Sequence, residues 1–276
     1  MTCFLKKSRA VTNLLNAGAS SSSVGVRLRE YRPREGMQYH IRVKPGEVAK
    51  WVLLPGDPGR AELIAKQFDD AREIAYNREF RTFTGKVSGV PISVTSTGIG
   101  CPSTAIAVEE LAECGANTFI RVGTAGAVNP KIKTSEVVIA SAAVREEGTS
   151  RQYVPISYPA VADLEVTNAL IEVARRLKTK YHVGLTLSKD AFYSEDPERV
   201  PLGEQAAERW KIWQRANVLA TEMECSTIYT ICSIRGLRSG AVLAIVGPIG
   251  KIADPHAGID EAISVAIEAV KLLAKA

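Results

Sequence analysis

The 276-residue chain has only three histidines, His40, His182 and His256, and no two stand at helical spacing. That scarcity argues against a histidine-built metal centre. Its five cysteines, Cys3, Cys101, Cys114, Cys225 and Cys232, are odd in number and contain no CxxC pair. Neither a disulfide framework nor a zinc site is indicated, and a reducing, cytoplasmic setting fits. No apolar run approaches the ~20 residues of a membrane helix. There is no GK[ST], no GxGxxG and no GxSxG. A phosphate-cradling P-loop, a dinucleotide fingerprint and a serine-hydrolase elbow therefore all lack their signatures.

An excess of positive charge is also missing where it would matter. The net charge is +5, but residues 1–36 hold seven of the 35 basic residues and two of the 30 acids. The remaining 240 residues carry 28 of each sign and are neutral. A nucleic-acid partner is not expected of such a body. Residues 1–36, with the run Ser20–Ser23 and few acids, read as an unstructured extension or as sequence upstream of a true start at Met37. Acid-poor Ser/Arg segments also resemble transit peptides.

What is present is a series of apolar strands that run into glycine-rich turns. Trp51–Leu54 enters Pro55-Gly56-Asp57-Pro58-Gly59-Arg60, then a helix from Ala61. Glu73–Gly85 is strand-like, with Arg78, Glu79 and Arg81 among aromatics. Pro91–Thr97 enters Gly98-Ile99-Gly100-Cys101-Pro102-Ser103-Thr104, then a helix to about Cys114. Thr118–Val122 enters Gly123-Thr124-Ala125-Gly126. Three such units predict one α/β domain over residues 37–276, a three-layer α/β/α arrangement around a mixed, largely parallel sheet. The turns would meet at the carboxyl ends of the strands, where α/β proteins place ligands. Backbone N–H groups at a strand-to-helix turn favour an anion. Arg121, inside an apolar run, is costly unless partnered. The partner expected here is an anion brought by the substrate; a structural core ion pair is the plainer alternative. Elsewhere, Leu164–Leu177 is an amphipathic helix, Asp260–Ala274 a closing helix, and Asp190–Arg199 a mixed acidic loop.

Six motifs, LPGDPGR (54–60), STGIGCPSTAIAVEEL (96–111), FIRVGTAGAV (119–128), PAVAD (159–163), DAFY (190–193) and TEMECSTIY (221–229), together resemble the hexameric branch of the nucleoside phosphorylase family. The resemblance runs from about His40 to the last helix. It implies phosphate binding by Arg60 and Arg121, assisted by Thr124 and the Gly56 N–H, with Arg78 reaching the phosphate of a neighbouring subunit. It implies ribose binding by Glu224, with Met223 packed on the sugar and His40 contacting the 5′-hydroxyl across the subunit interface. Phe192 and Gly126 would border the base. A potassium ion would sit between subunits near Glu79, Ile99 and Ser103. No cofactor is implied, since inorganic phosphate is the co-substrate. A homo-oligomer built on dimers, up to a hexamer, is implied. Taken singly, Glu224 also reads as a helix N-terminal acid, His40 as a surface histidine, and Met223 and Phe192 as core.

The leaving base is read from two places. Purine members resemble one another in an aspartate after the last core strand, which protonates the base. Here that stretch is Ile245-Val246-Gly247-Pro248-Ile249-Gly250, without one, and the nearest is Asp254. Uridine members hold uracil with a Gln-x-Arg pair in the loop after DAFY. Here Pro197-Glu198-Arg199 keeps the arginine alone, so Gln152, Gln205 or water would have to replace the amide, and Lys251 a second cation. The expectation is phosphorolysis of a pyrimidine nucleoside, uridine, with Arg121 and Arg199 as the catalytic pair. Purine nucleoside or methylthioadenosine phosphorolysis is the alternative. A hydrolytic nucleosidase or a non-catalytic nucleoside binder is the alternative of another class.

Overall fold

The computed structural model describes residues 36–275; the expectation of an appended segment at 1–36 falls almost wholly outside them. The described residues form ten strands and six α-helices. Strand β1 (Trp51–Leu54) lies parallel to β4 (Val90–Thr95) and to β5 (Thr118–Ala127). On the β4 side, β2 (Asp69–Asn77) and β3 (Phe80–Val87) complete an antiparallel meander to the sheet edge. The stretch 73–85 is thus parts of two strands, folded back at Arg78, whose φ is 55°.

On the other side the sheet closes. β5 pairs with β10 (Arg238–Pro248), β10 with β6 (Val137–Glu146), β6 with β8 (Tyr181–Lys189), β8 with β9 (Ala220–Glu222), and β9 back with β5. These five strands form a ring. A two-residue strand, β7 (Ala160–Val161), adds to β6. The parallel pairs are those along β1, β4, β5 and β10 and along β6, β8 and β9; the meander and the closing seams are antiparallel.

Helices cover both faces, as the near-continuous burial of β5 requires. Phe119 packs in one core with residues of α2 (Cys101–Glu113) and α5 (Cys225–Arg235), such as Val108, Leu111, Ile228 and Ile231. Ile120, its neighbour, packs in the other with α1 (Pro58–Ala65), α3 (Leu164–Arg176) and α6 (Ile259–Leu273), through Ile64, Leu170 and Val265. Helix α3 starts where Asp163 accepts the Val166 N–H at 2.9 Å and ends among Arg175 and Arg176, satisfying an orphan donor and complementing the helix dipole. Helix α4 (Gly203–Arg215) seats Trp210 against Leu187 and Val218. The four described cysteines, Cys101, Cys114, Cys225 and Cys232, are buried and free. Among the described residues no helix is long and apolar enough to cross a membrane.

The expected turn at Gly123–Gly126 is instead strand. β5 runs straight through it to Ala127, held by β10 along its whole length. Periodicity alone does not show this, because the pairing partner lies more than a hundred residues downstream.

Candidate active site

The carboxyl ends of β1, β4, β5, β8 and β9 open into one cavity of about 890 Å³, within the roughly 300–1,000 Å³ typical of small-molecule sites. Its wall contains Gly56, Arg60, Arg121, Thr124 and Gly126. Met223 and Glu224 are part of it, as are Phe192, Arg199, Glu79, Ile99 and Ser103. Twelve of the fourteen residues expected to bind phosphate, sugar, base or cation therefore share one space.

Arg121 is the charged centre of that space, and only 4% of its surface is exposed. Its Nη2 donates to Glu224 Oε2, and its Nε lies 3.1 Å from Glu222 Oε2. Part of its charge is thus compensated within the protein, by two carboxylates rather than by a substrate alone. Its Nη1 is buried and has no acceptor. A buried guanidinium N–H without a partner is rare and calls for an explanation. Burial disfavours the Arg121 charge, but Glu224 and Glu222 outweigh it and the net shift is upward.

Glu222 went unsingled in the sequence. It accepts the N–H groups of Glu224 and Cys225 at 2.8 and 2.9 Å, and the hydroxyl of Ser188. It therefore holds the start of α5 and Arg121 together. The Ser188 that fixes it comes from β8, so its function is set by tertiary neighbours and carries no local signal. Glu224 accepts the Gly100 N–H at 2.7 Å and the Met223 N–H at 3.2 Å. Burial, with the like charge of Glu222, raises the Glu224 carboxyl above its ordinary value, opposed by Arg121 and the two N–H bonds.

Arg60 stands at the opening of α1. Asp57 caps that helix, accepting the Gly59 and Arg60 N–H groups at 3.1 and 3.0 Å. The helix terminus is consequently already engaged, which leaves the Arg60 side chain and the Gly56 backbone as the groups available to an anion. Burial and the like charge of Arg121 push the Arg60 guanidinium below its ordinary value. Two cations that destabilise each other across a cavity form a site for a small anion.

At the other end, two short 3-10 helices, Phe192–Glu195 and Pro197–Arg199, shape the wall. Phe192 meets Tyr193 edge to face, and the Arg199 guanidinium lies 4.4 Å from the Tyr193 ring centroid, a cation–π stack that fixes its direction. Gln152 and Gln205 do not line the cavity of their own chain, whereas Lys251 does. Lys189 is also in the wall, held there by a contact to Thr221 that carries no local sequence signal.

His40 and Arg78 lie outside the cavity of their own chain. The His40 ring is 2.6 Å from Glu110 Oε1, and its carbonyl accepts the Asn77 amide at 2.7 Å. Asn77 adjoins the exposed Arg78, so the two sit on neighbouring pieces of the same surface. No group of three or more His, Cys, Asp or Glu among the described residues is arranged to hold a metal ion.

A fold of this kind, with paired arginines and a buried acid at the strand ends, defines an α/β protein built to bring a small anion to a second ligand. Residues 50–276 match the family model described as the phosphorylase superfamily, and the chain belongs to that family. It is 55% identical over 244 residues to a uridine phosphorylase of Thermococcus kodakarensis, covering 87% of this chain and 88% of the relative. It is 44% identical over 242 residues to a uridine phosphorylase of Treponema pallidum, covering 86% and 94%. A guanosine phosphorylase of Halorubrum lacusprofundi is 40% identical over 210 residues, covering 76% and 83%.

Proposed function

We propose that the protein catalyses phosphorolysis of uridine, giving uracil and ribose 1-phosphate. The observation that carries this reading is the buried, acceptor-less Nη1 of Arg121 in a cavity wall shared with Arg60. Phosphate supplies the missing acceptor. Gly56 and Thr124 complete its binding, and two arginines fix its angle by charge-assisted hydrogen bonds. The ribose lies between Met223 and Glu224. Glu224 Oε1 accepts only the Gly100 N–H and has room for one ribose hydroxyl; Oε2 already takes Arg121 and the 3.2 Å Met223 N–H, so the second hydroxyl replaces the Met223 contact. A phosphate oxygen then bonds to C1′ as the C1′–N1 bond breaks, and the electron pair passes into the uracil ring. Phosphate beneath the sugar stabilises the oxocarbenium-like charge, and Arg199 stabilises the departing base. No protein nucleophile takes part; catalysis is positioning and electrostatics.

Assays of uridine, inosine and methylthioadenosine with and without phosphate test this. Uridine should be consumed only when phosphate is present. Cleavage of inosine but not uridine overturns the base assignment; cleavage without phosphate indicates a hydrolase, and binding without turnover a nucleoside-binding protein. A purine substrate is the second reading, favoured by the guanosine phosphorylase relative. Against it, Asp254 is exposed and outside the cavity wall.

The same reading makes the unit of function a dimer or a larger homo-oligomer, with His40 and Arg78 serving a neighbour's cavity. For a potassium ion, the Glu79 carboxylate, the Ile99 carbonyl and the Ser103 hydroxyl are the candidate ligands. Glu79 and Ser103 both crowd Gly98, where an added Cβ would lie 2.6 Å from Glu79 Cγ and 3.2 Å from Ser103 Oγ. Hard oxygen donors with one negative charge suit a monovalent cation, which would add positive charge near the margin of the cavity.

A further inference from the structure

Lys189 ends strand β8 with 4% of its surface exposed, yet it forms part of the cavity wall. Its Nζ lies 2.7 Å from Glu195 Oε1 and donates to Thr221 Oγ1 at 3.2 Å. The Thr221 hydroxyl is itself committed as donor to the Leu187 carbonyl at 3.0 Å, so its oxygen faces the ammonium as an acceptor. The other Glu195 oxygen takes the Gly250 N–H at 3.0 Å. The ammonium therefore cannot rotate freely: two of its three N–H bonds are fixed by neighbours whose own bonds are fixed. The Phe192 ring centroid is 5.9 Å away. Thr221, Glu195, Phe192 and Gly250 all belong to the cavity wall. The third N–H has no protein acceptor among the described contacts, and an ammonium is a donor only.

We infer that Lys189 is a specificity-determining residue that donates to a carbonyl oxygen of the base, so that the site takes oxo bases and rejects their amino counterparts. The inference rests on the nucleoside-phosphorolysis reading but not on the choice between pyrimidine and purine. Uracil and hypoxanthine offer an acceptor where cytosine and adenine carry an NH2. An amino group would meet the ammonium donor to donor, leaving both without partners. Glu195 and Thr221 serve as positioning residues, because they aim the ammonium without needing to touch the base.

The test compares kcat/KM for uridine against cytidine, and for inosine against adenosine, in the wild-type protein and in Lys189→Gln, whose amide can accept as well as donate. The ratio favouring the oxo nucleoside should fall about 10- to 100-fold, the range for a hydrogen bond to a charged group. KM for phosphate should stay within about twofold, since Arg60 and Arg121 are untouched. An unchanged ratio in a variant of native melting temperature and native phosphate KM overturns the inference. Should Lys189→Gln fail to fold, a crystal structure of the wild-type protein with uracil and phosphate decides it. Nζ within hydrogen-bonding distance of a base oxygen, about 2.7–3.2 Å, supports the inference. A separation beyond about 4 Å, or no bound base at saturation, overturns it. Absence of turnover with every nucleoside would instead overturn the proposed function, and the uracil complex would still decide the contact.

Discussion

Gly123 lies directly beside the guanidinium of Arg121: a Cβ built on Gly123 would stand 3.0 Å from both Cζ and Nε of that side chain. Residues two apart on a strand share a face, so Arg121 folds back over its own strand and needs the space that only glycine leaves. Leu243 closes the other side, 2.9 Å from the same Cβ position.

Gly123→Ala should accordingly move Arg121 away from Glu222 and from its place in the cavity. We expect a fall in kcat/KM for phosphate of about 10- to 100-fold, as for a lost charge-assisted hydrogen bond. The overpacked core should cost about 1–3 kcal/mol of stability. Steady-state kinetics at varied phosphate and urea denaturation measure the two effects separately.

Glu222→Ala should damage folding. It strips Arg121 of one of two carboxylates and leaves the Glu224 and Cys225 N–H groups without acceptors. Breaking a buried pair in this way costs about 3–5 kcal/mol. A melting temperature close to that of the wild type would show that Arg121 does not depend on Glu222.

The position of Arg78 allows a complementation experiment. Arg78→Ala and Arg60→Ala chains, each assembled alone, should be weakly active. Co-expressed, they should recover part of the wild-type rate, because one cavity in a mixed oligomer can hold Arg60 from one chain and Arg78 from another. Arg60 is preferred to Arg121 here because it has no carboxylate ion-pair partner among the described residues to strand. No recovery in verified mixed oligomers would mean that each chain works alone.

Glu136 gives a prediction for acid stability. The Lys133 N–H, then His182, with Lys180 contributing, hold its carboxyl down to about 2 from the ordinary 4.5. The unfolded chain therefore takes up that proton more readily than the folded one. The stabilisation is complete above about pH 4.5 and disappears as the pH falls through about 2. Glu136→Gln should lower the melting temperature at pH 7 and flatten its acid-side decline, read from melting curves between pH 7 and 2.

Much of this was legible in the chain because the relevant signals are local. Glycine turns at the ends of β1 and β4 mark where ligands go, and Arg60, Arg121 and Glu224 stand next to them. What the sequence hides depends on partners far along the chain. Lys189 meets Thr221, Glu222 meets Arg121, and Gly123 is strand because β10 pairs with it. The fold-back at Arg78 was missed for a different reason. It uses a non-glycine residue in the left-handed region, without the Asn-Gly or Gly-Gly pair that advertises a tight hairpin.

The ring of five strands has a consequence for biosynthesis. β5 is made early, but its neighbours in the ring, β9 and β10, end only at Glu222 and Pro248. Arg121, on β5, meets Glu222 and Glu224 from that late segment. During translation the ring stays open until β10, ending at Pro248, has been made. A chain stopped before β10 holds Arg60 and Arg121 but lacks Val246, Pro248 and Lys251 of the cavity wall.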